Sequence, residues 1–320
     1  MAGAGPRRDR GRTAATARPG HAGHAMTDYG HDLIFGTFVT PNNSPARQAV
    51  DQAVVAERAG LDLVTYQDHP YVARFHDTWT LLSYVAAQTE RIRLSANVIN
   101  LPLRPPAVLA RSVASLDLLT GGRVELGLGA GAFWDGVAAM GGPRRGAGES
   151  VAALEEAIAI IRGMWDVDAT GVLTVDGAHY RVRGAKRGPA PAHDVGIWLG
   201  AYRPRMLRLV GREADGWLPS LQYLPGGVAD LAALNRHIDD AAAAAGREPR
   251  AIRRLLNIGG SFTGSGFLQG PPRQWAEELT DVALAFGVSG FVLASDDTAT
   301  TERYAAEVAP AVRQLVAAER

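Results

Sequence analysis

Residues 61–70 read LDLVTYQDHP, a short apolar run that stops on Asp68-His69-Pro70. Leu61, Leu63 and Val64 suit a buried strand, whereas Asp68 and His69 do not enter a core unpaired. An acid and an imidazole at the carboxyl end of a buried strand lie where parallel α/β folds keep their chemistry. There His69 can be a hydrogen-bond donor, a general acid or base, or a metal ligand. The plainer alternative is a capping histidine held by the preceding acid. A metal needs further ligands; only His76 stands close in sequence, and LIFGTF lacks the paired histidines of barrel hydrolases, so no metal site is expected.

A second candidate is IWLGAYRPRMLRL, in which a strand ends on Gly200-Ala201 and Pro204 opens a helix. Free backbone N–H groups at such a helix start can hold a phosphate. Arg203, Arg205 and Arg208 add positive charge there, unless they are simply solvated arginines beside a tight turn. GLGAG at Gly127–Gly131 lacks the spacing of a dinucleotide fingerprint and reads as a loop shaped for close backbone approach. Phe133-Trp134, just beyond, either lines a ring-binding mouth or plugs a loop. Trp217 reads as core, and Asp296-Asp297 as the polar lead into the last helix.

The elements that must carry these residues alternate in period. Eight mostly continuous apolar runs fall at Leu33–Phe38, Leu61–Tyr66, Ile92–Val98, Val124–Leu128, Ile197–Gly200, Gly216–Pro219, Leu256–Phe262 and Gly290–Ala294. Strands buried on both faces read this way. Helical spacing predicts Pro45–Ala59 after an N-cap Ser44, Pro106–Thr120, Ser150–Trp165, Pro204–Gly211, Ala229–Ala245, Gln274–Phe286 and Thr298–Ala318. Strand then helix, repeated, implies parallel strands with right-handed crossovers, an α/β fold closing as a (β/α)8 TIM-type barrel. The interval of about 130–192 is an excursion between strands 4 and 5, holding a loop, a helix and a hairpin that turns at Asp176-Gly177 and is expected over the barrel rim.

In such a barrel the strand ends converge on one mouth. Thr37, Asp68-His69, Asn97-Val98-Ile99-Asn100, Gly129-Ala130-Gly131, Gly200-Ala201-Tyr202-Arg203, Ser220 and Ser295-Asp296-Asp297 would meet there.

Composition narrows the classes. The 320 residues balance to zero net charge, so no basic field argues for nucleic acid or a membrane surface, and no apolar run approaches the roughly 20 residues of a span. Absence of cysteine removes disulfide and thiolate chemistry and fits a cytoplasmic enzyme. Residues 1–26, rich in Ala, Gly and Arg, read as a disordered tail ahead of a barrel domain over 27–320. Arg7-Arg8 invites a twin-arginine export reading, but no apolar stretch follows, and Met26 is a plausible start.

From about Leu33 onward the chain resembles the bacterial luciferase-like family of flavin- and deazaflavin-dependent oxidoreductases. GLDLVTYQDHPY, RIRLSANVINLPLRPPAVLAR, GGRVELGLGAGAFWDGVAAMGG, GIWLGAYRPRMLRLVGREADGWLPS and FLQGPPRQWAEEL carry the resemblance in order. It implies a barrel with an excursion, holding a tricyclic ring at its mouth where hydride moves to or from the coenzyme.

It places the family's strand-two histidine on His69, with Asp68 orienting it or contacting coenzyme. It also implies a non-proline cis peptide at Asn97-Val98 behind the ring and phosphate at Gly200–Arg203; of the two aromatics read above, Phe133 and Trp134, the second is then the candidate for a substrate-side wall. The branch it resembles most uses coenzyme F420, as methylenetetrahydromethanopterin reductase-like members do. The expected activity is hydride transfer between F420 and a small organic substrate in a homodimer. The alternatives are an FMN-dependent monooxygenase fed by a flavin reductase and a non-catalytic flavin-binding protein. Two departures stand out: Ala132 occupies the place of the glutamate of deazaflavin sugar-phosphate dehydrogenases, which argues against that activity, and Asn97 stands where glycine is frequent.

Overall fold

The computed structural model describes residues 28–320, so the expectations for residues 1–26 lie outside it. The strands are β1 Ile34–Val39, β2 Leu63–Tyr66, β3 Arg93–Ala96, its two-residue continuation β4 Ile99–Asn100, and β5 Val124–Gly129. A separate antiparallel hairpin follows, β6 Leu173–Asp176 and β7 Arg181–Ala185. Then come β8 Ile197–Leu199, β9 Gly216–Trp217, β10 Arg253–Ile258 and β11 Gly290–Ala294. Apart from the hairpin the pairs are parallel, in the order β3-β2-β1-β11-β10-β9-β8-β5. β5 pairs back onto β3 through Leu94 with Val124, which closes the barrel.

Side chains alternate across this wall, as the two-residue period of a strand requires. Ile34, Leu63, Trp198, Leu218, Leu255 and Val292 fill the barrel interior, with Phe38 and Val98 above them. Phe35, Val64, Leu94, Leu126, Ile197, Leu256 and Phe291 point outward into the layer of helices. Both faces being apolar explains the continuous runs in the sequence.

The helices are α1 Gln48–Arg58, α2 Thr78–Ala86, α3 Pro106–Thr120, α4 Trp134–Ala139, α5 Ala147–Trp165, α6 Pro204–Glu213, α7 Leu231–Ala244, α8 Pro272–Phe286 and α9 Thr298–Arg303. A π-helical turn, Tyr304–Val308, joins α9 to α10 Ala309–Glu319.

Several boundaries differ from the sequence reading. The first helix begins at Gln48, not Pro45, because the Pro45 carbonyl closes a turn onto Gln48 N–H and Arg47, not Ser44, is the N-cap. Strand seven runs from Arg253 rather than Leu256: the guanidinium of Arg254 is fully buried, satisfied by Asn235 and Asp239 and lying 4.5 Å from the Tyr29 ring. α2 and α4 carry no helical signal read above. The helix of the excursion, α5, packs between α3 and α6 as an ordinary crossover helix. Within the excursion, α4 and the hairpin are the elements that depart from the alternation. The hairpin turns as expected but lies along α5, where Glu156 accepts the N–H groups of Ala178, His179 and Tyr180. Asp297 caps α9 by accepting from Thr300 N–H, and Trp217 is buried with its Nε1 donating to Ala201 O.

Candidate active site

The top layer of the barrel interior is polar where the layers beneath are apolar. Thr65, Asn97, Ser220 and Asn257 form one hydrogen-bonded belt there. Asn97 Nδ2 donates to Thr65 Oγ1 at 3.2 Å and to Asn257 Oδ1 at 2.7 Å. Asn257 Nδ2 returns one bond to Asn97 Oδ1 at 3.1 Å and reaches Ser220 Oγ at 3.0 Å. Ser220 N–H donates to the Tyr202 hydroxyl, whose ring meets Tyr223 edge-on at 5.8 Å. Asn97 therefore turns its carboxamide across the barrel rather than outward.

The Asn97-Val98 peptide is cis, as expected. Val98 stands between the ends of β5 and β8. A Cβ at Gly129 would lie 2.6 Å from its Cγ2, whereas one at Gly200 would meet nothing closer than 3.7 Å. The mouth thus has an apolar floor, and at Gly200 a methyl would fit in ordinary contact with Val98 and Leu218.

One edge of the mouth is aromatic. His69 Nδ1 lies 2.6 Å from the Tyr71 hydroxyl, and the His69 ring meets Phe133 edge-on at 5.6 Å. Phe133 is 68% exposed, so its outer side is free to meet a ligand. The Tyr71 ring lies flat against Gly136 of α4: a Cβ there would come within 2.7 Å of its Cγ. Burial pushes the His69 imidazole below its ordinary value despite the nearby charge of Asp68, so the ring is neutral at neutral pH. Burial likewise raises the Tyr71 phenol.

Asp68 does not orient His69. Its carboxylate, 2% exposed, is taken by the Arg104 guanidinium at 2.9 and 3.2 Å and by Asn100 N–H at 3.0 Å. Arg104 also binds Asp77, the N-cap of α2. A buried carboxylate satisfied this way is a clamp between the strand-two and strand-three loops.

Other expected site residues divide. Thr37 shares its face of β1 with Phe35 and Val39, so it faces the helix layer and donates to Leu293 O. Ile99 is likewise in the outer cluster, and Ala130 packs against it. Gly131 supports Trp134, whose ring packs over it and Pro102, so Phe133 rather than Trp134 reaches His69. Ala201 is buried, Tyr202 is tied to Ser220, and Arg203 is exposed at the start of α6.

The model of the Luciferase-like monooxygenase family matches residues 25–260. The chain belongs to this family. A phthiodiolone/phenolphthiodiolone dimycocerosates ketoreductase of Mycobacterium sp. is 35% identical over 243 residues, covering 72% of this chain and 57% of that protein. An F420-dependent glucose-6-phosphate dehydrogenase of Nocardia farcinica is 33% identical over 236 residues, 71% of this chain and 68% of the relative. The chain thus spans a little over half to two-thirds of the length of these two relatives. In structure, an F420-dependent secondary alcohol dehydrogenase in complex with an F420-acetone adduct superposes with a TM-score of 0.77 at 18% identity. That match covers 88% of this chain and 99% of the other, and at this identity it shows the fold.

The residues present fit the ring system of a luciferase-like enzyme. A flat tricycle needs a floor, room at its sides and leftover polar groups. Val98 gives the floor, Gly200 a side bare of any Cβ, and the buried Asn100 Oδ1, which has no partner, a leftover acceptor. The first-turn N–H groups of α6 have no intrahelical partners by the nature of a helix start, and the exposed Arg203 is its N-cap.

Two residues of this luciferase-like site escaped the sequence reading. Asn257 had a signal, a lone carboxamide within the apolar run LLNI. Tyr71 had none, since its contact with a residue two positions away depends on how the loop turns after Pro70.

Proposed function

We propose that this protein transfers a hydride between coenzyme F420 and a small organic substrate. The observation that carries the reading is His69, set against Tyr71 and Phe133 at the edge of a mouth floored by Val98. The names of the Nocardia and Mycobacterium relatives support the coenzyme and the chemistry. Bound at this mouth, the deazaflavin would supply or take up the hydride. The chain's own residues do the rest: Val98 backs the ring, the α6 start and Arg203 hold phosphate, and His69 faces the reacting oxygen of the substrate. Phe133 shields one side from water. Electrostatic stabilisation of that kind supplies much of the rate gain where charge develops in a site shielded from water.

A second reading, an FMN-dependent monooxygenase partnered by a flavin reductase, draws support from the family's own description. The apolar Val98 floor suits either ring. Titration with oxidised F420 and separately with FMN, followed by fluorescence, tests both. Preference for F420 supports hydride shuttling, preference for FMN moves the reading to oxygen chemistry, and binding of neither removes the site. Tight binding without turnover on any acceptor would make it a flavin-binding protein.

No helix among the described residues is long and apolar enough to cross a membrane. A cytoplasmic homodimer is part of the proposal, supported by the absence of cysteine and by Val108, Leu118 and Leu119 exposed along α3. Sedimentation of the purified protein decides the second point.

A further inference from the structure

We propose that Tyr71 is the positioning residue of this site: its hydroxyl donates to His69 Nδ1, fixes the imidazole as the Nε2–H tautomer, and so makes His69 a hydrogen-bond donor to the substrate oxygen rather than a base. The inference rests on the hydride-transfer reading for its catalytic meaning, and on geometry alone for the tautomer.

The 2.6 Å contact between Tyr71 Oη and His69 Nδ1 has one proton between the two atoms, so its direction decides which face His69 shows the substrate. The separation sets that direction: 2.6 Å lies within the range of an O–H donor and is shorter than the range of an N–H donor, so the phenol supplies the proton. The Tyr71 ring is pinned between Gly136 and Phe133, with the Phe133 centroid at 6.2 Å, so the hydroxyl cannot swing away.

The charged groups around His69 agree with this assignment. Asp68, next to it in sequence, is occupied by Arg104 and contributes only through space; Tyr71 is a phenol raised by burial; Phe133 brings no proton. Ala132, after the GLGAG loop, brings none either. A neutral imidazole whose Nδ1 is satisfied has one remaining polar atom, the Nε2–H. Reduction of a carbonyl at this mouth would oxidise the coenzyme and gather the electron pair of the broken C=O π bond on the substrate oxygen; His69 Nε2–H would donate to that oxygen, and solvent would supply the proton that completes the alcohol.

The test begins with the wild-type protein without coenzyme. Nitrogen NMR of protein labelled with 15N-histidine should place His69 Nε2 in the protonated range and Nδ1 in the bare-nitrogen range. In Tyr71→Phe, which keeps the ring packing, the two nitrogens should average toward a tautomer mixture. With coenzyme and a reducible carbonyl compound, kcat should fall about tenfold, the worth of one hydrogen bond, with KM nearly unchanged. The titration midpoint of the His69 nitrogen signals should move to higher pH, because the neutral ring loses its donor. Protonation on Nδ1 in the wild type, or the same tautomer and titration midpoint in Tyr71→Phe, overturns the assignment. If Nε2–H is found but no coenzyme binds, the hydride-transfer reading falls while the positioning stands.

Discussion

Asn97 and Asn257 exchange two hydrogen bonds across the barrel, 160 residues apart in the chain, and between them tie β3 to β10 beneath the mouth. A carboxamide pair is well matched to this task. Each side chain offers donors and an acceptor without carrying charge, so the belt can be satisfied in a buried layer at no cost in ionic desolvation.

Asn257→Leu should therefore cost more than its size suggests. It leaves Asn97 and Ser220 without their partner in a half-buried layer, an expected loss of about 1–3 kcal/mol. Urea unfolding of both proteins measures it. A variant as stable as the parent would mean that water replaces Asn257 freely and that the belt holds nothing.

His69→Gln keeps a polar side chain of similar reach but cannot offer the same oriented Nε2–H. Turnover should fall by roughly 10²–10⁴ while coenzyme affinity stays within a few-fold. Equal turnover would take His69 out of the chemistry and leave it as packing for Phe133 and Tyr71.

Gly200 and Gly129 separate affinity from stability. The space around Gly200 admits a Cβ, with Leu218 O nearest at 3.7 Å, so Gly200→Ala should fold within about 0.5 kcal/mol of the parent. The same methyl intrudes above the floor and should weaken F420 binding about tenfold. Gly129→Ala instead collides with Val98 Cγ2 at 2.6 Å, a stiff β-branched side chain, and should lower the melting temperature as well. Melting curves beside coenzyme titrations check the pair. Unchanged affinity in Gly200→Ala would place the ring elsewhere.

The barrel was legible because both faces of its strands are buried, which turns each strand into an apolar run that composition alone reveals. Where burial is achieved by pairing, that signal fails. Arg253 and Arg254 look unlike strand, yet Arg254 sits inside because Asp239, Asn235 and the Tyr29 ring, all distant in sequence, come to meet it. The same limit applies to the site. Asp68-His69 announced a polar strand end, but nothing local said that Asp68 would turn to Arg104 and His69 to Tyr71. α2 was missed because Trp79, Thr80 and Tyr84 are poor helix formers, and packing of Leu81, Leu82 and Val85 decides for them. Thr37 stood at a strand end, but the two-residue period turned it outward.

At the opposite end of the barrel, His193 lies 3.0 Å from Asp117 and 3.7 Å from Glu125. Glu125, then Asp117, holds its imidazole up at about 9 against the opposing effect of burial. Asp117 is fully buried and also accepts the N–H groups of Val124, Ala192 and His193, so this cluster fastens the return of the excursion to the foot of β5. A folded pKa above the unfolded 6.5 means that protonation favours the folded state. The contribution is complete below about 6.5, declines as pH rises, and is gone above about 9. Solvent reaches part of the ring, which reduces its size without changing its sign. Melting temperature should therefore fall between those two pH values in the parent and fall less steeply in His193→Asn, which keeps a donor to Asp117 but cannot titrate. Equal slopes in the two proteins would show that some other group carries the alkaline loss.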